Sequence, residues 1–163
     1  HVLGLVNNSE FLVSSTSGIA QISRIIRKPQ LLINFTPFMI NESFHAHSAN
    51  SIIVPKKIIN LKTNKLLSMQ QISQLPYNIH KMENFFYDRK LQIIDNTQEE
   101  ISDAISEMLL HIKNSWQDNE KQSMLQNKFW KSFQNYKYYN ELRYVLKSKI
   151  SSTFLESNPS LVD

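Results

Sequence analysis

Phe11-Leu-Val-Ser-Ser-Thr-Ser-Gly18, then Ile19 to Pro29, then Gln30-Leu-Leu-Ile-Asn-Phe35 is the stretch that decides the fold. Phe11 to Ser14 reads as a short buried strand. Ile19, Ile22, Ile25 and Ile26 then recur at helical spacing, while Gln21, Ser23, Arg24 and Arg27 fall elsewhere on the wheel. Lys28-Pro29 ends that helix, because proline disfavours helical geometry in the residue before it. Gln30 to Phe35 reads as a second buried strand. Strand, short helix and strand within about 25 residues make a compact βαβ unit, which predicts parallel pairing and a right-handed crossover.

Outward from this unit the pattern continues. Residues 1–8 read as a helix that exits at Asn7-Asn8. Ser51 to Val54 reads as a third strand, closing on Pro55-Lys56-Lys57. Ser68 with Gln71, and Thr97 with Glu100, have the spacing of capping boxes. Residues 76–90 read as loop and Leu91 to Ile94 as a fourth strand. Ile101, Ile105, Met108, Leu109, Ile112 and Trp116 share one face of a following helix. The last third reads as helical: Leu125, Phe129 and Phe133 are spaced by four, and Leu142, Val145 and Leu146 continue the run. The aromatics Trp130, Tyr136, Tyr138, Tyr139 and Tyr144 read as packing. The expected fold is α/β: a Rossmann-like parallel sheet of about four strands with a helical C-terminal tail. Residues 1–163 form one domain, with an α/β core over 1–95 and a helical part over 96–163.

Composition narrows the function classes. The chain has 163 residues, 41% of them hydrophobic and 20% charged, as in a globular domain. It has no cysteine, which excludes disulfides, thiolate metal sites and cysteine catalysis. Two glycines exclude Gly-rich phosphate loops of the GxGxxG type. No apolar run reaches the roughly 18 residues of a membrane span. Net charge is +4, and the excess lies in the first half: residues 1–90 hold ten Lys/Arg against four Asp/Glu. A positive field there suits an anionic ligand. The aromatics are concentrated in the less basic half, so the interleaving expected of a nucleic-acid binder is missing.

Three segments have the chemistry of a site. Ser15-Thr16-Ser17-Gly18 stands between a strand and a helix. A helix N-terminus offers unpaired N–H groups and a partial positive charge to a phosphate, and Gly18 removes a side chain from its path. The alternative is an ordinary N-cap at Ser17. The loop over 34–47 leaves the next parallel strand and would flank the same crevice with Asn34, Phe35, Pro37 and Glu42, of which Glu42 suits sugar hydroxyls. Its His45 and His47 have the spacing of a metal pair but no third ligand, and read as exposed loop histidines. Lys56 and Lys57 follow the third strand and could neutralise a phosphate or serve solubility alone. His1, His45, His47, His80 and His111 have no carboxylate partner in a motif, so no catalytic base is identified.

Phe11 to Gly18, Lys28-Pro-Gln-Leu-Leu-Ile-Asn34 with Pro37, Ile53-Val-Pro-Lys-Lys57, Asp95-Asn-Thr-Gln-Glu-Glu-Ile101 and Ile150-Ser-Ser-Thr-Phe-Leu-Glu-Ser-Asn-Pro159 together resemble a family of bacterial glycosyltransferases linked to surface polysaccharides. The resemblance implies the C-terminal, donor-binding half of a GT-B fold, with the serine-glycine turn on the diphosphate of a nucleotide sugar. It implies no metal or other cofactor, a glycan or lipid-linked acceptor, and a cytoplasmic enzyme, peripheral to the inner membrane face at most. The chain would lack the N-terminal acceptor domain and be inactive alone. Other readings are a nucleotide-sugar 2-epimerase-like enzyme and a basic, non-enzymatic module for nucleic acid or an anionic surface.

Overall fold

Four parallel strands organise the protein, as seen in a computed structural model that describes residues 2–36, 51–76, 84–135 and 148–163. Helix α1 (Val2–Asn8) leads into β1 (Leu12–Ser14), α2 (Gly18–Ile25) and β2 (Gln30–Phe35). Lys28 Nζ donates to the carbonyls of Asn7 and Ser9 at 2.9 and 2.7 Å, tying the exit of α1 to the α2–β2 turn. Strand β3 is Ser51–Pro55. β1 pairs with β2 in parallel with Val13 opposite Leu31, and β2 with β3 with Leu31 opposite Ile52. The fourth member is β7 (Lys149–Ile150), in the order β1-β2-β3-β7. The fold is α/β, compatible with a Rossmann-like arrangement.

The isoleucines of α2 are not its most deeply packed face: Ile22 is half-buried and Ile19 exposed. Ile25 is 76% exposed, whereas Ala20 and Ser23 are fully buried. Small residues at i and i+3 let the helix backbone approach β1 and β2 closely. Arg27 then takes a left-handed φ of 57° to turn the chain back into β2.

The strand over Leu91–Ile94 differs from the expectation of a single parallel sheet. After Pro55, which has no N–H to continue the ladder, one residue separates β3 from β4 (Lys57–Asn60). β4 leaves the parallel sheet and forms an antiparallel one with β5 (Lys65–Leu66) and β6 (Leu91–Ile94), in the order β5-β4-β6. Helix α3 (Met69–Ser73) starts at the Ser68–Gln71 capping box. The region read as loop contains a short helix, α4 (Phe85–Asp88).

Helix α5 (Gln98–Ile112) starts at the Thr97–Glu100 capping box and buries Ala104 and Met108. Helix α6 (Glu120–Lys131) begins at a third capping box, Asn119 with Gln122, and buries Leu125 and Phe129. The C-terminal part is not wholly helical, because the chain re-enters the sheet as β7 before α7 (Ser152–Ser157) and a 3-10 turn (Pro159–Leu161). Gln126 of α6 pairs its side-chain amide with both the N–H and the carbonyl of Ile150. It thereby satisfies backbone groups that an edge strand would leave open. Leu142, Val145, Leu146, Tyr136, Tyr138, Tyr139 and Tyr144 lie outside the described residues. One core joins both sheets and the helices, with Leu31, Leu32, Phe35, Ile53 and Ile58 packed with Met69, Phe129, Phe154 and Leu155. Among the described residues no helix is long and apolar enough to cross a membrane.

Candidate functional site

Parallel pairing brings the carboxyl ends of β1, β2 and β3 to one edge of the sheet, with Ser14 opposite Leu32 and Phe35 opposite Pro55. Ligands of open α/β sheets bind outside such an edge. The loop after β1, Ser15 to Ser17, is exposed there and runs directly into the first turn of α2. Ser17 is the N-cap residue in extended conformation, φ −143° and ψ 169°, yet its side chain makes no capping hydrogen bond. Its hydroxyl is therefore not committed to the N–H groups of the first turn. Gly18 does not have a positive φ, and a Cβ built on it meets nothing within 4 Å. The protein itself thus demands glycine neither for backbone conformation nor for space. Ser14 Oγ, just before the turn, is buried without a hydrogen-bond partner.

Asn34 shapes the next strand end. It sits at φ 50°, a left-handed conformation that asparagine tolerates better than most residues. The β2–β3 register is irregular between Leu32 and Phe35. Asn34 and Asn96 exchange hydrogen bonds: Asn34 N–H donates to Asn96 Oδ1 at 2.6 Å, and Asn96 N–H donates to Asn34 Oδ1 at 2.7 Å. Asn96 Nδ2 also donates to the Pro55 carbonyl at 2.9 Å. One asparagine after β6 thus fastens the ends of β2 and β3. Asn96→Ala leaves Asn34 N–H and the Pro55 carbonyl unpaired, and is expected to cost about 2 kcal/mol. Chemical denaturation checks this; an unchanged midpoint would show that the clasp contributes nothing.

The residues read as a site have different surroundings. Phe35 is fully buried in the core, so its ring offers no face to a nucleoside. Lys56 is partly exposed and meets Asp95 Oδ1 at 2.7 Å, with Asp95 68% exposed. Lys57 is buried and meets Glu100 Oε1 at 2.5 Å. Burial pushes the Glu100 carboxyl up, but hydrogen bonds from Lys57, the Thr97 N–H and Asn158 outweigh it and hold the group below the usual carboxylate range. Of the two lysines, only Lys56 retains access to the crevice edge. Pro37, Glu42, His45, His47 and His80 lie outside the described residues.

A second polar cluster was not legible as a motif. His111 has a carboxylate neighbour one turn earlier, Glu107, with Nε2 3.7 Å from Oε1. Glu107 is fully buried and accepts from the N–H groups of Ser152 and Thr153 and from the Ser151 hydroxyl, at 3.0, 3.1 and 2.8 Å. Burial raises its carboxyl, and the hydrogen bonds from His111 and from residues 151–153 more than reverse this, leaving it lowered. Asp118 accepts from Lys149, Trp116 Nε1 and the Ser152 hydroxyl at 2.5, 2.9 and 2.8 Å. The Glu107–His111 spacing is visible in the sequence, but a carboxylate one turn before a histidine is too common to single out. Glu107 holds the N-terminus of α7, and Asp118 ties Lys149 and Trp116 to the Ser152 hydroxyl beside it, which is a structural use of both carboxylates. Among the described residues no group of three His, Asp or Glu side chains has the arrangement of a metal site.

No family model matches the chain, and no curated protein or solved structure resembles it significantly.

Proposed function

We propose that this chain binds the diphosphate of a nucleotide sugar at the Ser15–Gly18 turn and serves as the donor-binding half of a glycosyltransferase that builds bacterial surface glycans. The observation that carries the reading is this turn. It is exposed at the carboxyl edge of a parallel sheet and opens α2 with an uncommitted serine hydroxyl and a glycine with open space beside it. The family resemblance of the same residues supports it.

The chemistry follows from the geometry. First-turn N–H groups of α2 and the hydroxyls of Ser15, Thr16 and Ser17 would donate to phosphate oxygens. Lys56, from the end of β3, would add a positive charge after exchanging Asp95 for the ligand. Donors already aimed at the diphosphate stabilise the charge that develops on it as the sugar leaves. Asn34 would shape the floor beside the sugar through its locked backbone. The acceptor and the base that takes its proton would come from a facing domain.

Gly18→Val tests the reading. The open space means the substitution should fold, so any loss reports the ligand. Calorimetry with UDP, GDP, CDP and ADP is expected to show one tight binder, weakened roughly tenfold or more by the valine. Binding of none of the four, or equal affinity in both proteins, would overturn the assignment.

A further inference from the structure

The β5-β4-β6 sheet, α3 and the α4–β6 turn border an open groove of about 1040 Å³. The carboxyl-edge turn contributes nothing to it: Ser15 to Gly18, Asn34, Lys56 and Lys57 are absent from its walls. That volume suits a ligand larger than a single small metabolite.

Three cations line the groove: Lys62, Lys65 and Arg89. Among the described residues none of them is ion-paired, whereas Lys56, Lys57 and Lys149 each meet a carboxylate within 2.7 Å. The Arg89 guanidinium lies 4.7 Å from the centre of the Phe85 ring, which places it without neutralising it. Gln70 and Gln74, one helical turn apart, also line the groove, and their side-chain amides make no hydrogen bond among the described residues. Gln71 between them is occupied by the capping box. Two carboxylates also line the groove: Asp88, with no ion pair among the described residues, and Asp163, which is held by Lys128 at 3.5 Å, so the three cations outnumber them. The leucines Leu66 and Leu91 supply an apolar surface.

The mixture is selective. Unneutralised cations favour an anionic ligand. Amides that both donate and accept match adjacent hydroxyls, and a carboxylate accepts from hydroxyls while repelling a continuous phosphodiester. The described lining has no aromatic side chain on which nucleobases could stack. We propose that this groove binds an acidic oligosaccharide, with its carboxylates on Lys62, Lys65 and Arg89 and its hydroxyls on Gln70, Gln74 and Asp88. The assignment stands on the groove alone and does not require the donor reading.

The experiment is calorimetric titration of the full chain with tetragalacturonic acid, with neutral cellotetraose and with a single-stranded oligonucleotide of equal charge. Lys62→Glu/Lys65→Glu and Gln70→Ala/Gln74→Ala alter exposed side chains only, and circular dichroism confirms that each folds. The acidic tetramer is expected to bind at least roughly tenfold more tightly than the neutral one. Charge reversal should abolish binding, and the amide pair should weaken it about fivefold. Three results would each overturn the proposal: no binding of the acidic tetramer, equal binding of the neutral one, or oligonucleotide binding that equals it and is indifferent to the amide variant.

Discussion

Glu107→Ala is expected to remove about 3–5 kcal/mol of folding stability, the range found when one member of a buried, hydrogen-bonded charge network is deleted. Glu107 is fully buried on α5 and supports the start of α7. The N–H groups of Ser152 and Thr153 belong to the first turn of α7, where no intrahelical acceptor exists. The Glu107 oxygens take both, together with the Ser151 hydroxyl. A negative charge at that end also suits the helix dipole. Alanine leaves those donors dry and unpaired beside Phe154 and Leu155, which α7 places in the core. Against a typical total of about 5–15 kcal/mol, this is a large fraction. The loss should appear as a lower denaturation midpoint, and wild-type stability in the alanine variant would refute the role. Glu107→Gln keeps the size and one acceptor, so it should cost less. It also tests the pH dependence. Glu107, Glu100 and Asp118 all have lowered folded-state pKa values. Their contribution is present above the unfolded carboxylate value and is lost as pH falls through the folded one. Wild-type stability should therefore drop below about pH 4, and more gently in Glu107→Gln.

Local signals made the first 35 residues legible. The β1–α2–β2 unit is short and punctuated by Pro29, and its parallel pairing follows from its connection. The Ser68 and Thr97 capping boxes were readable for the same reason, since cap and partner lie three residues apart. Asn119 with Gln122 has the same spacing, but the apolar period of that helix begins only at Leu125, so its first turn carries no hydrophobic mark. β7 was hidden because two residues, Lys149 and Ile150, carry no periodicity; their strand state comes from pairing with Ile52 and Ile53. β4 was hidden by its one-residue separation from β3, which made Lys56-Lys57 look like a strand exit. The placement of the Ser15–Gly18 turn at the sheet's carboxyl edge was legible because strand order implies it. The partners of the two lysines were not. Glu100 is 43 positions from Lys57, and only the antiparallel sheet brings them together.

That pairing separates two adjacent lysines that composition treats as one basic patch. Lys57→Met is expected to cost about 3–5 kcal/mol, because it leaves the Glu100 carboxylate buried with only the Thr97 N–H at 3.0 Å and Asn158 Nδ2 at 2.9 Å. Lys56→Ala should change stability by no more than about 0.5 kcal/mol, since its partner Asp95 is largely exposed and water screens the pair. Lys57→Met/Glu100→Gln removes both charges but keeps a glutamine at the third helical position. That side chain can still accept from Thr97 N–H, so the capping box survives and most of the lost stability should return. Ligand affinity then has an unambiguous meaning in the folded proteins. A diphosphate served by Lys56 predicts weaker nucleoside-diphosphate binding in Lys56→Ala, with the nucleoside unaffected. The rescued Lys57 double variant should bind both as the wild type does. If instead the rescued variant loses diphosphate affinity while Lys56→Ala keeps it, Lys57 must leave Glu100 for the ligand. The buried pair would then be a switch rather than a strut.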